Sequence, residues 1–146
     1  MKKITIALIA SAAVAGFAST VSAQERPYDN GPVWNISSVQ TKPGHFDDYM
    51  KFVSNTWRAE QEALKQAGYV IDYKVFTTVA ARDNEPNLVL AVEWKNMAAL
   101  DMPLDQRDGM TKKFFGSMAG ASKASVDRES IRTMRGSTMF RELILK

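Results

Sequence analysis

Few side chains in this sequence can do chemistry. His45 is the only histidine and cysteine is absent. Thiol nucleophiles, disulfides, cysteine-based zinc or iron–sulfur sites and multi-histidine metal centres are therefore excluded. His45 alone has an ordinary pKa near neutrality, which makes it a candidate for acid–base work. Lying beside Gly44 and two residues before Asp47, it could equally cap a helix entrance or face solvent. The other candidates are aromatic. Tyr49 and Trp57 stand eight residues apart, on one helix face with Val53, while Tyr73 and Trp94 fall on strand-like stretches. Aromatic side chains first of all fill cores. A subset could instead line a cleft for a flat, apolar ligand, with Tyr hydroxyls and indole N–H groups as orienting donors. The residues expected to line it are Tyr49, Val53, Trp57, Tyr73 and Trp94, and the proton-handling candidates are His45, Tyr49 and Tyr73.

Other features point to no chemistry. The sequence has no phosphate-cradling glycine loop, nucleophile elbow or zinc motif, so no metal site and no cofactor is expected. Glu60 and Glu62, two apart on a helix, point apart and do not form an acid pair. Arg128, Arg132 and Arg135 recur at i, i+4, i+7, with Arg141 further on. They could grip a carboxylate or phosphate, but a solvated helix face is the simpler account.

The elements that would position these residues follow from periodicity. Residues 33–41 read as a first strand, ended by Lys42-Pro43-Gly44. Phe46, Tyr49, Met50, Val53, Trp57 and Leu64 then trace one face of a long helix, with Asp47 and Asp48 in its first turn and Gly68 at its stop. Residues 69–79 and 87–94 form a hairpin across the turn at 81–86. Asn96 caps a second helix that Pro103 interrupts. Met110, Phe114 and Met118 predict a further helical piece. The Ser/Ala-rich run 119–125, with Gly116 and Gly120, predicts a break or mobile loop. A last helical turn over 127–134 and a fourth strand over 137–145 close the chain. The order β-α-β-β-α-β is the ferredoxin-like pattern, an α+β fold with an antiparallel four-stranded sheet. Leu88-Val89-Leu90-Ala91-Val92 is apolar on both alternating faces, so both sides of the sheet should be covered. Two helices cover only one; a second copy of the same sheet, in a homodimer, would cover the other.

The N-terminal segment stands apart. Lys2-Lys3, an uncharged apolar run over 4–18 and Val21-Ser22-Ala23 form a bacterial signal peptide cleaved after Ala23. The run is too short for a stable membrane anchor. Removing it leaves 123 of the 146 residues and lowers the net charge from +3 to +1. That is too little basic excess for a nucleic-acid binder. Residues 24–32, with Pro27, Asn30 and Gly31, read as a flexible mature N-terminus, leaving one domain over 33–146. The expected location is periplasmic or secreted.

The strand–Lys42-Pro43-Gly44–helix opening and Val92-Glu93-Trp94-Lys95-Asn96-Met97-Ala98-Ala99-Leu100 resemble the dimeric α+β barrel superfamily, which includes antibiotic-biosynthesis-type monooxygenases and haem-degrading relatives. The resemblance implies two ferredoxin-like subunits sharing a barrel, with a ligand cleft between helices and sheet in each. The haem-degrading members have a first-strand Asn, matched here by Asn35, and a third-strand Trp, matched by Trp94. Asn35 thereby joins the expected ligand-binding residues. Those members also carry a haem-ligating His on the second helix, and no His follows Trp94 here. The resulting expectation is an exported homodimer that binds a small, mainly apolar or aromatic molecule. A cofactor-independent monooxygenase or isomerase in the same cleft is one alternative, and a structural or interaction module with a filled core is the other.

Overall fold

The computed structural model describes residues 25–79 and 81–146; the expected signal peptide and its cleavage site lie outside them. The chain runs through β1 (Tyr28–Thr41), α1 (Phe46–Phe52), a π-helical turn (Val53–Trp57), α2 (Arg58–Gln66), β2 (Val70–Thr77), β3 (Leu88–Trp94), a 3-10 turn (Met97–Leu100), α3 (Leu104–Phe115), α4 (Met118–Arg128) and β4 (Arg132–Leu145). The strands form one antiparallel sheet in the order β2-β3-β1-β4. The fold is α+β and ferredoxin-like, as the sequence pattern implied.

The backbone stays helical from α1 through the π turn into α2, so these pieces form one rod, ended by Gly68 at φ +79°. Tyr49 and Val53 from this rod pack on Val39, Leu88 and Leu90 of the sheet, with Phe52 and Trp57 at the margin. A bulge between Val70 and Asp72 places Val70 rather than Ile71 in the interior; Ile71 is exposed. The period-2 alternation of Ile71, Tyr73 and Val75 therefore breaks at its first member.

Three expectations are corrected. Residues 28–32 are not a loose terminus: Tyr28, Asp29 and Asn30 pair with Leu145, Ile144 and Leu143. The turn-forming Gly31 sits where the ladder shifts register, and a Cβ there would lie 3.1 Å from Glu142 Cβ. Close strand approach is thus the reason for that glycine. The run 119–125 is not a loop but the body of α4. Ser117 Oγ accepts the Gly120 N–H at 2.9 Å, capping a helix whose small, polar residues give little periodic signal. Residues 132–134 belong to β4, not to a helical turn.

The glycines on α3 and α4 predict opposite effects. A Cβ on Gly120 would collide with the Phe115 carbonyl oxygen, whereas Gly109 in α3 has open space around it. Gly109→Ala should raise stability by about 0.5–1 kcal/mol. Gly120→Ala should lower it despite the same gain in helix propensity. Thermal unfolding of the two variants measures both signs.

Every helix seated on the sheet lies on the Leu88/Leu90 side. The opposite face carries Ile36, Val89, Ala91, Phe76 and Phe140 by strand alternation, and Phe76 and Phe140 are 50% and 54% exposed.

Candidate functional site

The helix–sheet seam is incompletely filled. The α3–α4 corner lies over the rod and leaves two clefts that meet at Glu60. The first, about 240 Å³, is lined by Gln61 and Leu64 of α2, Trp94 at the end of β3, Met102, and Met110 and Phe114 of α3. The second, about 340 Å³, lies against Leu90 of the sheet. Tyr49, Phe52, Trp57 and Phe115 form its aromatic wall, and Arg128 and Arg132 its cationic end.

Residues that line these spaces carry buried polar atoms without partners. Trp94 Nε1 and Gln61 Oε1 are buried with no hydrogen bond in the first cleft, as are Nε of Arg128 and of Arg132 in the second. Arg132 donates from Nη1 to Glu129 Oε1 at 2.9 Å. Its guanidinium also lies 5.6 Å from the Tyr49 ring centroid, and that of Arg128 lies 4.1 Å from the Phe52 centroid. Buried polar atoms normally find partners, so four orphans along one seam are unusual.

Burial pushes the Glu60 carboxyl above the usual carboxylate range, with Arg128 pulling the other way. Burial likewise raises the Tyr49 phenol against Arg132 and Arg128, so Tyr49 is a neutral donor. Desolvation lowers Arg128, and the neighbouring Arg132 adds to the shift. The raised Glu60 pKa fixes the sign of a stability effect. Below the ordinary carboxylate range both folded and unfolded chains hold the proton, and the site costs nothing. As pH rises through the elevated folded pKa, the ionised group loses its water and the folded state weakens. Glu60→Gln should therefore unfold at a higher temperature than the parent at pH 7, with the gap closing by about pH 4.

The sequence candidates divide between the seam and elsewhere. Trp94 reaches the first cleft; Tyr49 and Trp57 line the second. Val53 lies beneath, packed in the core. Asn35 does not line either cleft; its Oδ1 accepts from Ser137 Oγ at 2.5 Å. Tyr73 lies behind Trp57, ring edge on face at 5.4 Å, and its hydroxyl donates to Glu62 Oε1 at 2.5 Å. That hydrogen bond holds the Tyr73 phenol above its ordinary pKa. His45 stands at the entrance of α1, exposed and outside both clefts, with Nδ1 3.1 Å from Asp48 Oδ2. No histidine lines either cleft. The arginine spacing does not describe a helix face: Arg128 ends α4, Arg132 and Arg135 lie on β4, and Arg132 is 6% exposed.

The sequence does carry a signal for Glu60. Val53, Trp57, Glu60 and Leu64 run at steps of four, three and four, so a carboxylate occupies a position of the apolar stripe.

No protein-family model and no curated protein matches the chain. Among solved structures, HapK from Hahella chejuensis superposes with a TM-score of 0.51 at 11% identity, over 75% of this chain and 91% of that one. A dimeric ferredoxin-like protein from an uncultured marine organism gives 0.47 at 8% identity, over 81% and 90%. A protein from Shewanella loihica, provisionally described as a monooxygenase, gives 0.42 at 11% identity, over 81% and 96%. The chain shares the fold of HapK.

Proposed function

We propose that this protein is exported and, as a homodimer, binds a small, flat, mainly apolar molecule in the helix–sheet seam. The observation that carries the reading is the open aromatic seam with buried, unpartnered polar atoms in both clefts. Ligand sites have this composition, apolar walls with a few convergent polar groups, and a filled interaction module would not leave such volume. The lysine pair and small-residue cleavage site before Gln24 support export. The exposed apolar sheet face supports the dimer. Native mass spectrometry of protein recovered from a bacterial periplasm tests the reading in one spectrum. The expected species is a dimer of chains beginning at Gln24, carrying retained mass of a few hundred daltons per subunit. A ligand-free monomer beginning at Met1 would overturn it.

Glu60 favours a second reading, a cofactor-independent monooxygenase or isomerase in the same seam. A carboxylate whose pKa burial raises, flanked by a guanidinium, is suited to take a proton from a bound substrate. In that reading the base is Glu60 rather than His45 or Tyr73. Oxygen uptake with quinol-like substrates should then be insensitive to chelators and lost in Glu60→Gln, but retained in His45→Ala.

A further inference from the structure

We infer that the ligand of the second cleft is an anion, an aromatic acid or an enolate of similar shape, whose charge rests on Arg128 and Arg132. The inference rests on the reading of the seam as a binding site and specifies what it takes. Arg132 is more than nine-tenths buried, and one guanidinium edge is held by Glu129 while Nε faces no partner. Arg128 has an equally unpartnered Nε and makes no ion pair among the described residues. Two adjacent guanidiniums, Arg132 buried and Arg128 partly so, repel each other and lose hydration. The carboxylates facing them offset this only in part. Glu129 is mostly solvent-exposed, and Glu60 sits where burial favours its protonated form.

A bound anion would supply what is missing, a countercharge for the pair. The rest of the cleft selects shape. Tyr49, Phe52, Trp57 and Phe115 wall an open cleft of about 340 Å³, which suits one or two aromatic rings. A neutral apolar ligand would fill the walls and leave both arginines unsatisfied.

The test uses two naphthalene probes of similar shape, the anionic anilinonaphthalene sulfonate and the neutral phenylnaphthylamine, titrated into the mature protein by fluorescence. The parent should bind the anion more tightly than the neutral probe. Arg132→Met and, at the less buried position, Arg128→Leu should each weaken the anion about tenfold or more, as expected for losing a charge-assisted hydrogen bond, and leave the neutral probe unchanged. Ala121→Leu, which fills the cleft, should weaken both. Should the neutral probe bind as well as the anion and both arginine variants leave the anion's affinity unchanged, the anion assignment is wrong while the binding site stands. Should Ala121→Leu leave both probes bound as before, the site itself is wrong. The arginine variants must retain the parent's cooperative unfolding; if Arg132→Met does not fold, Arg128→Leu carries the comparison alone.

Discussion

Leu88→Ala should cost about 3 kcal/mol of folding stability and lower the melting temperature by on the order of 10 °C. Leu88 is 1% exposed and belongs to the cluster in which Val39, Leu90, Tyr49 and Val53 join β1 and β3 to the helical rod. Removing its branched end leaves a void between sheet and rod, and Val39, Val53 and Tyr49 are β-branched or aromatic residues with little freedom to collapse into it. The loss is a large fraction of the total for a domain of this size. Urea unfolding should show a lower midpoint with an unchanged slope, because the surface exposed on unfolding is nearly the same. The cleft-lining Leu64, only half-buried on α2, should respond differently. Leu64→Ala enlarges a space that is already open, so it should cost clearly less than Leu88→Ala.

The contrast between these leucines also explains which parts of the molecule were legible in the sequence. Where one face of an element is buried against the sheet, the pattern is plain: the stripe from Tyr49 to Leu64 and the doubly apolar run Leu88–Val92 both led to the right elements. Where burial is partial, pattern fails. α4 has no fully buried residue, so its Ser/Ala/Lys run read as a loop; only Ser117 as a helix cap could have announced it. β4 begins at a buried arginine, which no periodicity rule reads as the first residue of a strand. At the site the aromatics Tyr49, Trp57 and Trp94 were recoverable because they are large. Arg128 and Arg132 were not, because their role depends on elements distant in sequence meeting at one seam. Asn35 followed from the family resemblance, and its bond to Ser137 Oγ gives it a local structural partner instead.

Phe140→Asp should convert the protein from dimer to monomer, raising the dissociation constant by at least about a thousandfold. Phe140 pairs across the ladder with Trp34 on the face opposite the helices, half exposed, beside Ile36 and Ala91. That face has the anatomy of an interface, an apolar centre with a charged rim of Asp72, Lys74, Glu93 and Glu142. Burial, together with Glu142 and Asp72, already raises the Glu93 carboxyl. A further carboxylate at position 140 would have no cation to pair with at the centre. In a two-fold interface the change appears twice, so its cost is doubled. The paired ends of β1 and β4 extend the apolar surface past Trp94, with Leu143, Ile144 and Leu145 exposed. This ribbon gives a second copy more to grip than the sheet face alone. Sedimentation velocity at micromolar concentration decides the matter. The parent should run as a dimer, Phe140→Asp as a monomer, and Lys112→Asp, on the helix side, as the parent does. A parent that sediments as a monomer would remove the dimer, and the sheet face would then need another partner. Because the cleft residues lie on the other side of the sheet, Phe140→Asp should leave probe binding intact, separating assembly from recognition.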